Sequence, residues 1–149
     1  MAVFTPIDIH QAQVFCANYD AISTICDLIP IAEGTDNTNY IVKTDDQNYI
    51  LTIFENRIDT NHLPAMLEFA DQLHDILPTP HTYKTRTGDA LGEIQDKPAA
   101  LIAFLDGQST ANPAKDHCRQ IGRISGRIHS AALHTDLPCN PLSLSAWQN

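Results

Sequence analysis

The sequence predicts an α+β domain built on a mostly antiparallel sheet, with one helix inserted among its strands. Three stretches carry that reading. Tyr40-Ile41-Val42 and Tyr49-Ile50-Leu51-Thr52-Ile53-Phe54 are rich in β-branched and aromatic residues and flank the turn-forming Thr44-Asp45-Asp46-Gln47-Asn48, which together make an antiparallel hairpin. Leu63, Met66, Leu67, Ala70, Leu73 and Leu77 then recur at three- and four-residue steps, the period of an amphipathic helix. Pro98-Ala99-Ala100-Leu101-Ile102-Ala103-Phe104-Leu105 is apolar on both sides, as a strand covered on both faces should be.

Taken in order, Thr5 at N-cap with Pro6 behind it and Asp8 in the first turn predicts a helix running to about Tyr19. A second short piece, Ile22 to Leu28, ends at Pro30. Ile31 to Glu55 reads as strand, polar loop around Gly34, second strand, tight turn and third strand. Asp59 or Thr60 caps the inserted helix, with Pro64 in its first turn, and Pro78-Thr79-Pro80 stops it. A polar strand from His81 to Thr87, a Gly88-Asp89 turn and a return strand from Ala90 to Ile94 follow. Asp96-Lys97 turns the chain into the apolar strand, which ends abruptly at Asp106-Gly107. Asn112-Pro113 opens the last helix, whose inner stripe is Cys118, Ile121, Ile124, Ser125, Ile128 and Ala132, with Gly122 and Gly126 four apart. The tail from His134 to Asn149 reads as loop.

A chain of 149 residues, 43% hydrophobic, is about one domain with a real core. Acidic residues outnumber basic ones 18 to 9, a net charge of −9, which argues against nucleic acid or an anionic membrane as partner. A nucleotide remains open, since it needs only local N–H groups and a metal. The four cysteines, Cys16, Cys26, Cys118 and Cys139, form no C-x-x-C pair and read as reduced thiols. No basic segment leads into an apolar run at the start, and no apolar run approaches a membrane span, so a cytoplasmic setting is expected. Arg119, Arg123 and Arg127 fit a solvated helix face, His129 a packed histidine, and the seven histidines suggest no metal site.

Strands framing a small-residue loop ahead of an inserted helix are the layout of a kinase small lobe. A single Gly34 is not G-x-G-x-x-G, and an ordinary hairpin with a polar loop also accounts for the pattern. In the kinase layout the strand ending at Phe104-Leu105-Asp106-Gly107 is the hinge; alone it is a buried strand and a turn.

The ensemble of motifs is more telling. Glu33-Gly34-x-x-Asn37-x-Asn39-Tyr40, Tyr49 to Glu55, Leu63-Pro64, Lys97 to Ile102, Phe104-Leu105-Asp106-Gly107, His117-Cys118, Gly122, His129, Asn140-Pro141-Leu142-Ser143-Leu144 and Trp147 resemble, in order, the homoserine kinase family with the aminoglycoside-phosphotransferase, protein-kinase-like fold. The resemblance implies transfer of the γ-phosphate of ATP, with Mg²⁺, to the hydroxyl of L-homoserine, a step of threonine biosynthesis. It makes Gly34, Thr35, Asp36, Asn37, Thr38 and Asn39 the loop over the phosphates, and Ala103, Phe104 and Leu105 the hinge against adenine. It divides the chain into a small lobe, residues 1–105, and a hinge with the start of a helical lobe, residues 106–149.

Two departures stand out. Where a typical kinase strand carries a phosphate-gripping lysine, this chain has Thr52. Thr52 with backbone groups, or a cation such as Lys43 or Arg57, would have to serve, and Glu68 on the helix becomes a solvated residue. The H-x-D-x-x-x-x-N segment that supplies base and metal ligands is missing; His134-Thr135-Asp136 with Asn140 is a look-alike, but its Asn comes too early and Pro138 intervenes. No catalytic residue is therefore assigned, Asp136 included. The expectation is the front portion of such a kinase, inactive alone and prone to self-association through uncovered apolar surface. Another small-molecule kinase of this fold, acting on choline, an aminoglycoside or a sugar amine, and a non-catalytic nucleotide-binding remnant stay open as alternatives.

Overall fold

Asp8, rather than Thr5, opens the first helix. In the computed structural model, which describes residues 3–55 and 59–138, the Asp8 carboxylate accepts from the Gln11 backbone N–H at 2.8 Å. The Gln11 side chain accepts in return from the Asp8 N–H at 3.1 Å. This reciprocal capping box starts α1 (Ile9–Cys16), which stops short of the expected Tyr19. Thr5 fails as a cap because its hydroxyl is committed elsewhere, as described below.

The short piece expected at 22–28 holds the first strand, β1 (Ile25–Pro30), so that strand precedes Ile31 instead of starting there. Its β-branched isoleucines pair antiparallel with the next strand, and Pro30 is tolerated because β1 is an edge of the sheet. β2 (Asn37–Thr44) and β3 (Asn48–Phe54) form the anticipated hairpin, in register from Asn37 opposite Phe54 to Lys43 opposite Asn48. α2 (Leu63–His74) follows; its N-cap is His62, without a side-chain cap, because Asp59 is turned onto Asn61.

The predicted 81–87 strand is reduced to one bridge, Thr82 opposite Ile102, and the return strand to β4 (Gly92–Ile94). Gln95 and Asp96, not Asp96 and Lys97, make the tight turn: both hold left-handed φ, 51° and 60°, as a two-residue hairpin demands. β5 (Lys97–Ala103) is the covered strand expected, paired with β3 on one side and β4 on the other. The order β1-β2-β3-β5-β4 gives a five-stranded, wholly antiparallel sheet.

Alternation along the strands sorts the side chains onto two faces. Tyr40, Val42, Tyr49, Leu51, Ile53, Ala99 and Leu101 face α1 and close on Ala12, Phe15 and Cys16 as the main core. Each fully buried aliphatic side chain there stabilises by about 1.5–3 kcal/mol. On the other face Phe54 and Ala100 pack against Leu63 and Leu67 of α2. Gly92 is required by close approach: a Cβ there would lie 2.8 Å from the ring of Phe15, itself buried.

Residues 4–7 are strapped across the sheet. The Thr38 hydroxyl accepts from the Phe4 and Thr5 N–H groups at 2.9 and 3.1 Å and donates to Glu55 at 2.8 Å. The Thr5 hydroxyl donates to the same carboxylate at 2.6 Å and accepts from Lys97 Nζ at 2.6 Å, while Lys97 also pairs directly with Glu55. Burial would raise the Glu55 pKa, but the hydrogen bonds from Lys97, Thr5 and Thr38 outweigh it and hold the carboxyl below its ordinary value.

The chain divides into two compact units, Met1–Ser109 and Thr110–Asn149. In the second, α3 (Lys115–Ala132) is capped by Ala114, whose N–H donates to His117 Nδ1 at 2.9 Å, so the helix begins two residues after Asn112-Pro113. Arg119 pairs with Asp116 at 2.6 Å. Arg57, Cys139, Asn140, Pro141 and Trp147 lie outside the described residues. Among those described, no helix is long and apolar enough to cross a membrane, and Cys16, Cys26 and Cys118 are free thiols.

Three outcomes follow for stability. Lys97→Met should cost about 2–4 kcal/mol in urea denaturation, because it strands a largely buried carboxylate. Glu55, with its pKa depressed by folding, contributes stability that is fully present above the unfolded value of about 4.3 and is lost as pH falls through the lower folded value. Urea midpoints of the wild-type chain should therefore fall with acidification below about pH 4, and Glu55→Gln should flatten that limb. Gly92→Ala should destabilise by about 1–2 kcal/mol as the Phe15 ring is displaced.

Candidate functional site

The sheet face opposite α1 is only partly covered. α2 closes the end that holds Phe54 and Ala100. Beyond it, Ile41, Ile50 and Ile102 stand directly opposite one another across β2, β3 and β5 and are all half-buried. A strand row of three branched aliphatic side chains is a flat apolar shelf. The next row on the same face is Asn39, Thr52 and Ala100, and Asn37 lies one step further along β2. The shelf therefore passes from apolar to amide-lined within two residues, about 7 Å along a strand.

The 31–36 loop joins β1 to β2 at this amide-lined end. Gly34 sits at φ 127°, a backbone conformation that favours glycine, and residues 32–36 are exposed. Its start is pinned by the Ile31 N–H donating to the Asn39 carbonyl at 2.9 Å. Within it the Thr35 hydroxyl donates to the Asp36 carboxylate at 3.0 Å.

The six residues expected as one phosphate loop are therefore divided. Gly34, Thr35 and Asp36 form the loop, whereas Asn37, Thr38 and Asn39 are already β2. Thr38 points the opposite way, is fully buried and belongs to the Glu55 cluster. Asn37 and Asn39 are on the shelf face. The Thr52 hydroxyl donates to Asn39 Oδ1 at 2.8 Å, and Asn37 Oδ1 accepts from the Glu55 N–H at 3.4 Å.

No lysine stands in for the absent strand cation. Lys43 shares the face but lies opposite Asn48, four residues and about 13 Å from Asn39. Lys97 is engaged with Glu55 and Thr5 on the other face. Glu68 is exposed on α2. The Lys97–Glu55 pair was not visible in sequence because the two residues are 42 apart and only strand pairing brings them together.

The expected hinge is also narrowed. β5 ends at Ala103, whose N–H already donates to the His81 carbonyl at 2.9 Å, while the Tyr83 N–H donates to the Leu101 carbonyl. The 81–83 segment thus occupies that edge of β5, and edge-on backbone pairing with a ligand falls to Phe104 and the exposed Leu105. In the second unit Asp136 is exposed, beyond the α3 C-cap Leu133. Among the described residues no three His, Cys, Asp or Glu side chains gather as a metal cluster.

Hollows on the α1 side are less apt. One of about 220 Å³ is lined by Phe15, Tyr19, Arg86 and Leu91. Its only charge of the right sign for an anion, Arg86, is spent on Asp20 at 2.6 Å and the Ala17 carbonyl at 2.7 Å.

Comparison with known proteins identifies the family. Residues 27–147 match the model of the phosphotransferase enzyme family. The chain is 42% identical over 149 residues to the homoserine kinase of Methylobacillus flagellatus and 37% identical to that of Methylobacillus glycogenes, covering 99% of this chain and 46% of each relative. It spans about half the length of these curated relatives. Among solved structures, a spectinomycin phosphotransferase in complex with ADP and spectinomycin superposes with a TM-score of 0.67 at 18% identity, over 90% of this chain and 40% of that one. At that identity the likeness is one of fold.

The face assignment has a direct check. Leu51→Ala, on the closed face, should cost about 3 kcal/mol in chemical denaturation, and Ile50→Ala, on the shelf, about 1 kcal/mol. Equal costs would place both side chains in the same packed core.

Proposed function

This chain belongs to the phosphotransferase enzyme family, and from that premise we propose that it forms the nucleotide-holding lobe of an ATP-dependent homoserine kinase. The observation that carries the reading is the single sheet face on which the Ile41–Ile50–Ile102 row runs into Asn39 and Thr52 beside the Gly34 loop. An adenine ring needs a flat apolar surface, and the phosphates need N–H donors at one end of it. Ile41, Ile50 and Ile102 would receive the base, and the Phe104–Leu105 backbone its polar edge. Gly34, Thr35 and Asp36, with Asn37 and Asn39, would border the phosphates. ATP supplies the phosphoryl group, with Mg²⁺ bridging its oxygens.

L-Homoserine as acceptor rests on the named relatives, 32–42% identical to this chain. The free thiols Cys26 and Cys118, both exposed, suit a reducing, cytoplasmic setting. Lobe and acceptor are tested separately. In calorimetric titration of the chain, ATP and adenosine should both bind, and Ile50→Glu should weaken both at least about tenfold by charging the shelf. Undiminished binding by that variant would move the site elsewhere.

Turnover requires a carboxylate base that takes the acceptor's proton, and the sequence contains no H-x-D-x-x-x-x-N segment. The pure 149-residue chain should accordingly make no ADP when L-homoserine is added to ATP. ADP production dependent on both would identify Asp136 as the base to mutate first.

A further inference from the structure

Resting on the shelf as a nucleotide site, the geometry points to Asn39 as the residue that contacts the phosphates in place of a lysine, with Thr52 as a positioning residue acting through it. Thr52 occupies the strand position where a cation is expected, yet it is poorly suited to be the contact itself. The residue is 6% exposed, and its single hydroxyl proton is donated to Asn39 Oδ1 at 2.8 Å. That bond turns the Asn39 amide oxygen toward Thr52 and its nitrogen away from it.

A side-chain amide carries two N–H donors. The protein acceptor nearest Asn39 Nδ2 is the Asn37 carbonyl, at 3.5 Å, the outer limit of a hydrogen bond. At most one donor is weakly used, so one is left for a ligand on the open face. Asn39 is half-buried, its backbone is held in β2 opposite Thr52, and its carbonyl accepts from Ile31 at the root of the Gly34 loop. The amide is thus oriented from three sides at the polar end of the shelf. A neutral N–H donating to a phosphate oxygen is charge-assisted by the ligand alone and is stronger than a neutral pair. Neither Lys43 nor Lys97 competes for this position, since Lys43 is displaced along β2 and Lys97 is tied to Glu55 on the opposite face.

The test is a double-mutant cycle read as the ratio of ATP to adenosine affinity, measured calorimetrically on the 149-residue chain. Asn39→Ala and Thr52→Val should each lower the ratio about tenfold, the worth of one charge-assisted hydrogen bond, with adenosine binding unchanged. The double variant should be no worse than Asn39→Ala to within about twofold, since Thr52 acts only through the amide. Thr52→Ser, which keeps the hydroxyl, should retain the wild-type ratio. Asn39→Asp preserves the oxygen that Thr52 binds and removes the donor; it should also lose the ratio, and it serves if Asn39→Ala folds poorly.

A fall in Thr52→Val with the Asn39 variants unaffected would make Thr52 the direct contact and overturn the assignment, as would additive losses in the double variant. Normal adenosine binding with unchanged ratios throughout would overturn this inference and leave the nucleotide site standing. A chain that binds neither adenosine nor ATP would overturn the nucleotide reading and this inference with it.

Discussion

The ion pair between Lys97 and Glu55, closed by the hydroxyls of Thr5 and Thr38, is the constraint on which the rest of the first unit depends. It joins the N-terminal strap, β2, the end of β3 and the start of β5, segments up to 92 residues apart in the chain. Every polar group in it is matched: three donors converge on one carboxylate, and the ammonium meets two oxygens. Such a cluster is tolerable away from water only when complete, because losing one member leaves a charge without a partner. It also explains two features of the chain elsewhere. Thr5 cannot cap α1, so Asp8 does, and Lys97 cannot serve a ligand on the opposite face.

The two-residue period of the strands divides the labour of the sheet. Odd positions of β3 and β5 carry the dry core against α1, and even positions meet α2 or remain half-open. Within β2 the parity separates neighbours of similar chemistry: Thr38 is sealed in the ion-pair cluster, while Asn37 and Asn39 border the shelf. A run of small polar residues that looks uniform in sequence is thus split into scaffold and site by a 180° alternation.

The sheet does not need a lysine at the Thr52 position. Thr52 packs between Asn39 and Ala100 and satisfies its hydroxyl locally. Many chemistries share a fold, so function here is argued from the shelf and its amide end, and the kinase fold only makes the shelf unsurprising. The curated relatives are about twice as long as this chain.

Much of this was legible in the sequence. The β2–β3 hairpin, the amphipathic α2 and the buried β5 each announce themselves through local periodicity, and the ordered set of motifs pointed to the phosphotransferase family. Local signals failed where a distant partner outbid them. Residues 25–30 carry no clear strand signal until β2 pairs with them, and Thr5-Pro6 is a good helix start until Glu55 claims the hydroxyl. The site was located by sequence only as a segment, residues 34–39 with Thr52. Which of those side chains share a face, that Ala103 has already spent its N–H on His81, and that Lys97 is the cation paired with Glu55 were decided by the tertiary structure. The physical reason is the same in each case: the hydrogen bonds and ion pairs join separate segments, up to 92 positions apart, and depend on strand register and parity, which no local window of sequence contains.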